Sequence, residues 1–146
     1  MEGIDIKQIT STGPSYQELL QLRNKMLRAP LGMNLFEEDL SRDTEDKIVT
    51  AYSGDKMIGC VMLKHLNEKE VKLRAMAVDD SFQGKGIGRL LVEHAENTAR
   101  ENGYETIVLN ARVTAKEFYS KLGYDAVSDE FIEVTIPHIA MQKHIG

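Results

Sequence analysis

Between Val71 and Asn102 an apolar run passes through Gln83-Gly84-Lys85-Gly86-Ile87-Gly88 straight into a segment of helical spacing. Alternate glycines at a helix start leave backbone N–H groups unpaired and clear Cβ atoms from their approach. The helix dipole adds partial positive charge at the same place. Such a turn is suited to holding phosphate. A plain tight turn does not need glycine at that density. The feature fixes a strand–turn–helix unit around which the rest of the chain must be built.

Upstream, Gly3 to Ile9 reads as a first strand. Ser15 is placed to cap a helix with Leu19, Leu20, Leu22, Met26 and Leu27 on one face, stopped by Ala29-Pro30-Leu31-Gly32. The acidic stretch Glu37 to Asp46 reads as a solvated loop with room for a short helix. Ile48 to Tyr52 and Met57 to Leu63 form a hairpin through Ser53-Gly54-Asp55-Lys56. A turn at Asn67 to Glu70 leads into the strand Val71 to Val78. The helix after the glycines carries Ile87, Leu90, Leu91, His94, Ala95 and Thr98 on one face, with a Glu96–Arg100 pair on the other. Then follow a strand Thr106 to Asn110, a short helix from a Thr114 cap to Leu122, and a strand pair, Asp125 to Val134 and His138 to His144. A meander followed by βαβ crossovers gives an α/β (α+β) fold: a mixed, mostly antiparallel, twisted sheet flanked by helices.

A chain of 146 residues fits one domain, 1–146. Its net charge of −5 argues against nucleic acid or an anionic membrane as partner and is compatible with an amine-bearing substrate. The single cysteine, Cys60, lies in an apolar strand and reads as an inert buried thiol in a reducing compartment. The N-terminus lacks signal-peptide character and no window reaches the ~20 apolar residues of a membrane span, so the expected location is the cytoplasm. No His, Cys or carboxylate spacing suggests a metal.

Three phosphate-binding patterns compete for the glycine turn. A P-loop requires Gly-Lys-Ser/Thr, but Gly84-Lys85-Gly86 is followed by Ile87. A dinucleotide fingerprint requires a third glycine where Arg89 stands, and an early βαβ unit. The third pattern, Gln/Arg-x-x-Gly-x-Gly/Ala, is matched at every fixed position by residues 83–88. Here the chain resembles the GNAT superfamily of N-acetyltransferases. Leu73-Arg74-Ala75-Met76-Ala77-Val78-Asp79 is similar to that family's fourth strand. Ala115-Lys116-Glu117-Phe118-Tyr119-Ser120-Lys121-Leu122-Gly123-Tyr124 is similar to its Ala-x-x-Phe-Tyr-x-x-x-Gly-aromatic segment.

The resemblance implies the acyl-CoA N-acyltransferase fold, with fourth and fifth strands splayed apart, and acetyl-CoA as cosubstrate without a metal. The pyrophosphate would rest on backbone N–H groups of Gln83, Gly84, Lys85, Gly86, Gly88 and Arg89. The pantetheine arm would pair with Met76 and Val78, and an N–H of Met76 or Ala77 would receive the oxyanion. Phe118 is carried over as a cofactor contact. Tyr119 takes the family position of the general acid that protonates the departing thiolate. Arg112 departs from the asparagine common there, and its longer arm would reach cofactor or substrate.

The base is sought among Glu70, near Glu68 at the start of the fourth strand, and Glu133 and His138 at the C-terminal strands. Ile136-Pro137-His138 resembles the ElaA-like branch, where that strand faces the acceptor. The alternative is a hairpin corner with a rigid Pro137 and a half-exposed His138. His94 reads as packed, and His65 and His144 as surface residues. The expected activity is direct transfer of acetyl to a primary amine within a ternary complex. The alternative is a non-catalytic acyl-CoA-binding or regulatory module on the same fold. Exposed strand edges and Phe131-Ile132 offer a homodimer contact.

Overall fold

In the computed structural model, which describes residues 3–146, the chain begins with β1 (Ile4–Ile9) and α1 (Tyr16–Leu27). Three short 3-10 turns, Ala29–Leu31, Leu35–Glu37 and Ser41–Glu45, precede β2 (Lys47–Ser53), β3 (Lys56–His65) and β4 (Glu70–Val78). After the turn Asp80–Phe82 come α2 (Ile87–Glu101), β5 (Thr106–Arg112), the turn Val113–Ala115 and α3 (Lys116–Lys121). The chain closes with β6 (Asp125–Ala126), β7 (Phe131–Glu133) and β8 (Ile136–His144). The sheet order is β1-β2-β3-β4-β5-β8-β6, with β7 also on β8. Every pairing is antiparallel except β4 with β5.

β3 is buried from Met57 to Leu63 because helices cover both faces of the sheet. On one face α2 lays Ile87, Leu91, Val92, Ala95 and Ala99 against Val61, Leu73, Ile107 and Leu109. Gly59 allows that approach, since a Cβ there would stand 2.9 Å from Leu91 Cδ1. On the other face α1 lays Leu19 and Leu22 against Ile48, Cys60 and Met62. Cys60 is fully buried, and burial pushes its thiol up to about 12, so it is inert.

The parallel pairing of β4 with β5 covers only Glu70–Lys72 against Thr106–Val108. Beyond it the two strands part, while β5 stays paired with β8 along its whole length. The open edge of β4 and the gap beside it are the feature around which the site forms.

Local expectations fail where a side chain finds a distant partner. Glu37 to Asp46 is not a solvated loop: Asp43 is 2 % exposed and takes hydrogen bonds from Tyr16, Arg23 and Arg74. Glu96 does not pair with Arg100; it is buried, accepts from the Tyr124 hydroxyl at 2.9 Å and meets Lys143 at 3.0 Å. The buried stripe of α2 is accordingly turned, with Val92, Glu96 and Ala99 inside and His94 only half-buried. Ser15 stands at the α1 N-cap, but its side chain makes no capping bond, and Ala115 rather than Thr114 precedes α3. Residues 127–130 interrupt the predicted strand Asp125 to Val134.

Candidate active site

A cavity of about 550 Å³ occupies the gap between β4 and β5. Its first wall is β4 itself, where the register against β3 passes from Met62↔Arg74 to Cys60↔Ala77. Ala75 and Met76 therefore oppose Val61 alone, which is a bulge. Ala75 adopts φ +54°, a left-handed conformation that a non-glycine residue takes only when its surroundings hold it there. The Cys60 thiol donates to the Ala75 carbonyl at 3.3 Å and helps to hold it. The bulge turns the Ala75–Met76 backbone out of the β3 ladder, and Ala75, Met76, Ala77 and Val78 all line the cavity.

The glycine turn stands at the end of β4. Gly84 and Gly86 have φ of +77° and +81°, and Gly86 is the N-cap of α2 without any side-chain cap. The first backbone donor bonded into α2 is Leu90, to Gly86. Among the described residues no protein acceptor meets the N–H groups of residues 84–89. Gln83 differs: its N–H faces the Asp80 carbonyl at 3.5 Å, and its side-chain amide donates to Val78 at 3.1 Å. Gln83 thus ties the turn to the strand. Gly88 lets Phe118 close in, since a Cβ there would lie 3.2 Å from the Phe118 ring. The Arg89 side chain is exposed and held by Glu93 at 2.9 Å.

Phe118 and Tyr119 of α3 form part of the cavity wall. The Tyr119 ring is packed edge-on to Phe118 and to Tyr124, at 5.0 and 5.8 Å between centroids. The residue is 6 % exposed, and among the described residues its hydroxyl meets no protein partner. Burial pushes its pKa well above that of an ordinary phenol, so the hydroxyl keeps its proton.

The opposite wall comes from β5, β7 and β8. His138 is not half-exposed: it is 5 % exposed and stacks on Phe131. Its Nδ1 lies 2.9 Å from the Ile136 carbonyl, which only accepts, so Nδ1 carries the proton and the neutral ring's lone pair is on Nε2. Nε2 stands 3.7 Å from Glu133, whose other oxygen accepts from Asn110 at 3.2 Å. The β7–β8 corner falls at Val134-Thr135, with φ of +51° and +67°, rather than at Pro137. Two β-branched residues in left-handed conformation are strained, and Val134 faces the cavity. Arg112, at the end of β5, reaches across to the Leu27 carbonyl at the C-terminus of α1.

Glu70 is not among the residues that the cavity brings together. It lies at the far end of β4, outside the cavity lining, and accepts from Asn67 in the β3–β4 turn. Further members of the wall are Arg23, Arg28 and Leu35 of the α1 side, and Lys72, Arg74 and Asn110 of the sheet. Asp43 and Asp46 brace Arg74 from behind, each at 2.7 Å. The hydrophobic spacing of α1 marks its buried stripe, but no sequence signal marks which arginine lies over a carboxylate twenty residues away. Among the described residues no cluster has the makings of a metal site, and no helix is long and apolar enough to cross a membrane.

A splayed sheet, a bulged strand, a glycine-capped helix and a buried tyrosine define the architecture of an acyl-CoA-dependent acyltransferase. Residues 15–145 match the family model "Acetyltransferase (GNAT) domain". The chain belongs to the GNAT family and is an acetyl-CoA-dependent N-acetyltransferase. The N-acetyltransferase YjcF of Bacillus subtilis is 30% identical over 109 residues, 73% of this chain and 77% of the relative. Among solved structures, Escherichia coli ElaA superposes with a TM-score of 0.85 at 18% identity, covering 97% of this chain and 99% of ElaA. A GNAT acetyltransferase of Elizabethkingia anophelis with acetyl-CoA bound superposes with a TM-score of 0.72 at 19% identity, covering 99% of each chain. These two likenesses are of fold.

Proposed function

We propose that the chain transfers acetyl directly from acetyl-CoA to the primary amine of a small molecule, with both substrates in one cavity. One observation carries the reading: the bulged edge of β4, Tyr119 and His138 all line the same cavity of about 550 Å³. In this reading the pyrophosphate rests on the free N–H groups of residues 84–89, and the pantetheine adds to the open edge of β4 along Met76 and Val78. A second groove, lined by Arg89, Phe118 and Lys121, takes the nucleotide end. The oxyanion forms against the Met76–Ala77 backbone that the bulge exposes.

The amine enters as an ammonium ion and is drawn to Glu133, the one carboxylate in the cavity lining. His138 Nε2 removes a proton and passes it to solvent. The neutral nitrogen attacks the thioester carbon, and the C–S bond breaks as the C–N bond is completed. The thiolate takes the Tyr119 proton, which the second proton of the nitrogen restores. Desolvation raises the thiol pKa as it raises that of Tyr119, so the transfer is not as uphill as the phenol alone suggests.

The test is titration of acetyl-CoA, then thiol release with a panel of amines, for wild type and Tyr119→Phe. Tyr119→Phe should lower kcat by about 10²–10³-fold and leave acetyl-CoA affinity unchanged. Tight acetyl-CoA binding with no thiol release on any amine would sink the reading. A Tyr119→Phe variant with full kcat would remove Tyr119 from the acid role alone.

A further inference from the structure

The chain is acidic, with a net charge of −5, yet its cavity is basic. Arg23, Arg28, Lys72, Arg74 and Arg112 line it, against Glu133 alone. Three of the five are neutralised in place: Arg23 by Asp43, Arg74 by Asp43 and Asp46, and Arg28 by Glu38. Among the described residues Lys72 and Arg112 meet no carboxylate. Lys72 stands where β4 is still paired with β5, whereas Arg112 stands at the open end of β5. Among the described residues the polar contact of Arg112 is the Leu27 carbonyl, at 3.2 Å, and the guanidinium of Arg28 reaches the same oxygen at 3.1 Å. Two cations thus converge on one neutral acceptor. Burial and the charge of Arg28 push the Arg112 pKa below the ordinary arginine value, the mark of a cation short of a counter-ion. The buried Arg23 adds an Nε–H with no partner.

Glu133 is short of a partner in the opposite sense. Among the described residues it meets neither lysine nor arginine, only Asn110 and His138. Arg112 and Asn110 share one face of β5, two positions apart. A guanidinium without a carboxylate and a carboxylate without a cation therefore flank the same cavity and do not reach each other.

We propose that the acceptor is a small amine that also bears a carboxylate, with Arg112 holding the carboxylate and Glu133 receiving the ammonium group. This assignment rests on the amine-transfer reading above and names its substrate class. It moves Arg112 from the cofactor to the acceptor. An arginine fork binds a carboxylate with two parallel hydrogen bonds, which an amide or an alkyl terminus cannot return.

The enzyme saturated with acetyl-CoA is offered ω-amino acids from glycine to 6-aminohexanoate beside alkylamines of equal length, and α-amino acids beside their amides. At the fitting length the carboxylate-bearing member should show kcat/KM at least about tenfold above its partner. Arg112→Gln should abolish that preference through KM with the acetyl-CoA Kd unchanged, and Arg112→Lys should restore only part of it. Titration of the same amines into the enzyme–CoA complex reads binding where transfer is slow. Equal use and equal binding of amines with and without a carboxylate overturn the anion site while leaving amine acetylation standing. So does an Arg112→Gln variant whose only defect is in acetyl-CoA affinity. Carboxylate-dependent binding without thiol release from any amine sustains the anion site and overturns amine transfer.

Discussion

The two ends of the cavity are made of different material. In the proposed reading the cofactor end is backbone: the N–H groups of residues 84–89, which meet no protein acceptor among the described residues, the bulge at Ala75–Met76 and the open edge of β4. In that reading the acceptor end is side chain, with Arg112, Glu133 and His138 set by β5, β7 and β8 under a roof braced through Asp43. Backbone recognition suits a ligand that does not vary, since it tolerates sequence change wherever φ and Cβ clearance are kept. Side-chain recognition can change its ligand by single substitutions. The two ends should accordingly fail separately.

The largest expected effect is at the acceptor roof. Asp43→Ala leaves the buried Arg23 without a carboxylate and Arg74 with Asp46 alone. Breaking a buried pair costs about 3–5 kcal/mol, which corresponds to a fall in Tm of about 10 °C. Below the new Tm, acetyl-CoA affinity should stay within about twofold of wild type, because Asp46 still holds Arg74 at 2.7 Å beside the bulge. Thermal melts and acetyl-CoA titration check both parts. Loss of acetyl-CoA binding in a folded variant would mean that the two ends are one unit.

A smaller effect is expected at the cofactor end. Gly86→Val places a β-branched residue at φ +81° and puts methyl groups where phosphate should approach. Acetyl-CoA Kd should rise about 10–100-fold, with amine KM at saturating acetyl-CoA unchanged. Unaltered acetyl-CoA affinity would break the cradle reading, and a parallel rise in amine KM would break the separation.

The same difference in material decides what could be read from the sequence. Glycine reports backbone requirements directly, so residues 83–88 disclosed the α2 start, and the motif around Tyr119 disclosed the α3 part of the cavity wall. The bulge has no such marker: Ala75 takes φ +54° without glycine, and only its register against β3 reveals it. The Val134-Thr135 corner is hidden for the same reason, because two β-branched residues do not advertise left-handed backbone. Asp43 and Asp46 looked like solvent-facing charge because their partners, Arg23 and Arg74, lie on elements brought near only by the finished sheet. Glu70 was a plausible base by position along a strand, yet the splay opens at the other end of that strand. Charges whose partners are distant in sequence are legible only after topology is known.

The smallest expected effect lies where the two ends meet. Asp79 follows β4, caps the Asp80–Phe82 turn by accepting from the Ser81 N–H at 3.0 Å, and takes Lys25 of α1 at 3.0 Å. The Lys25 contact, then the Ser81 N–H, holds the Asp79 carboxyl at about 2, below its usual value of 3.8. The folded state therefore binds this proton less readily than the unfolded chain, and the carboxylate stabilises the fold at all pH above about 4. That contribution fades as pH falls through the window from about 4 to about 2. Lys25 is half-exposed and screened, so its ion pair adds little beside the cap. Asp79→Asn keeps an oxygen to cap Ser81 and loses only the charge, so it should lower Tm by about 2 °C at pH 7, and the gap from wild type should narrow as pH drops from about 4 toward 2. Because Asp79 joins α1 to the strand leading into the glycine turn, Asp79→Asn should weaken acetyl-CoA and amine binding together, each by only about two- to threefold. A gap that stayed constant across the acid window would show that the carboxylate is not the group at work. An effect confined to one ligand would place Asp79 wholly within that ligand's end of the cavity.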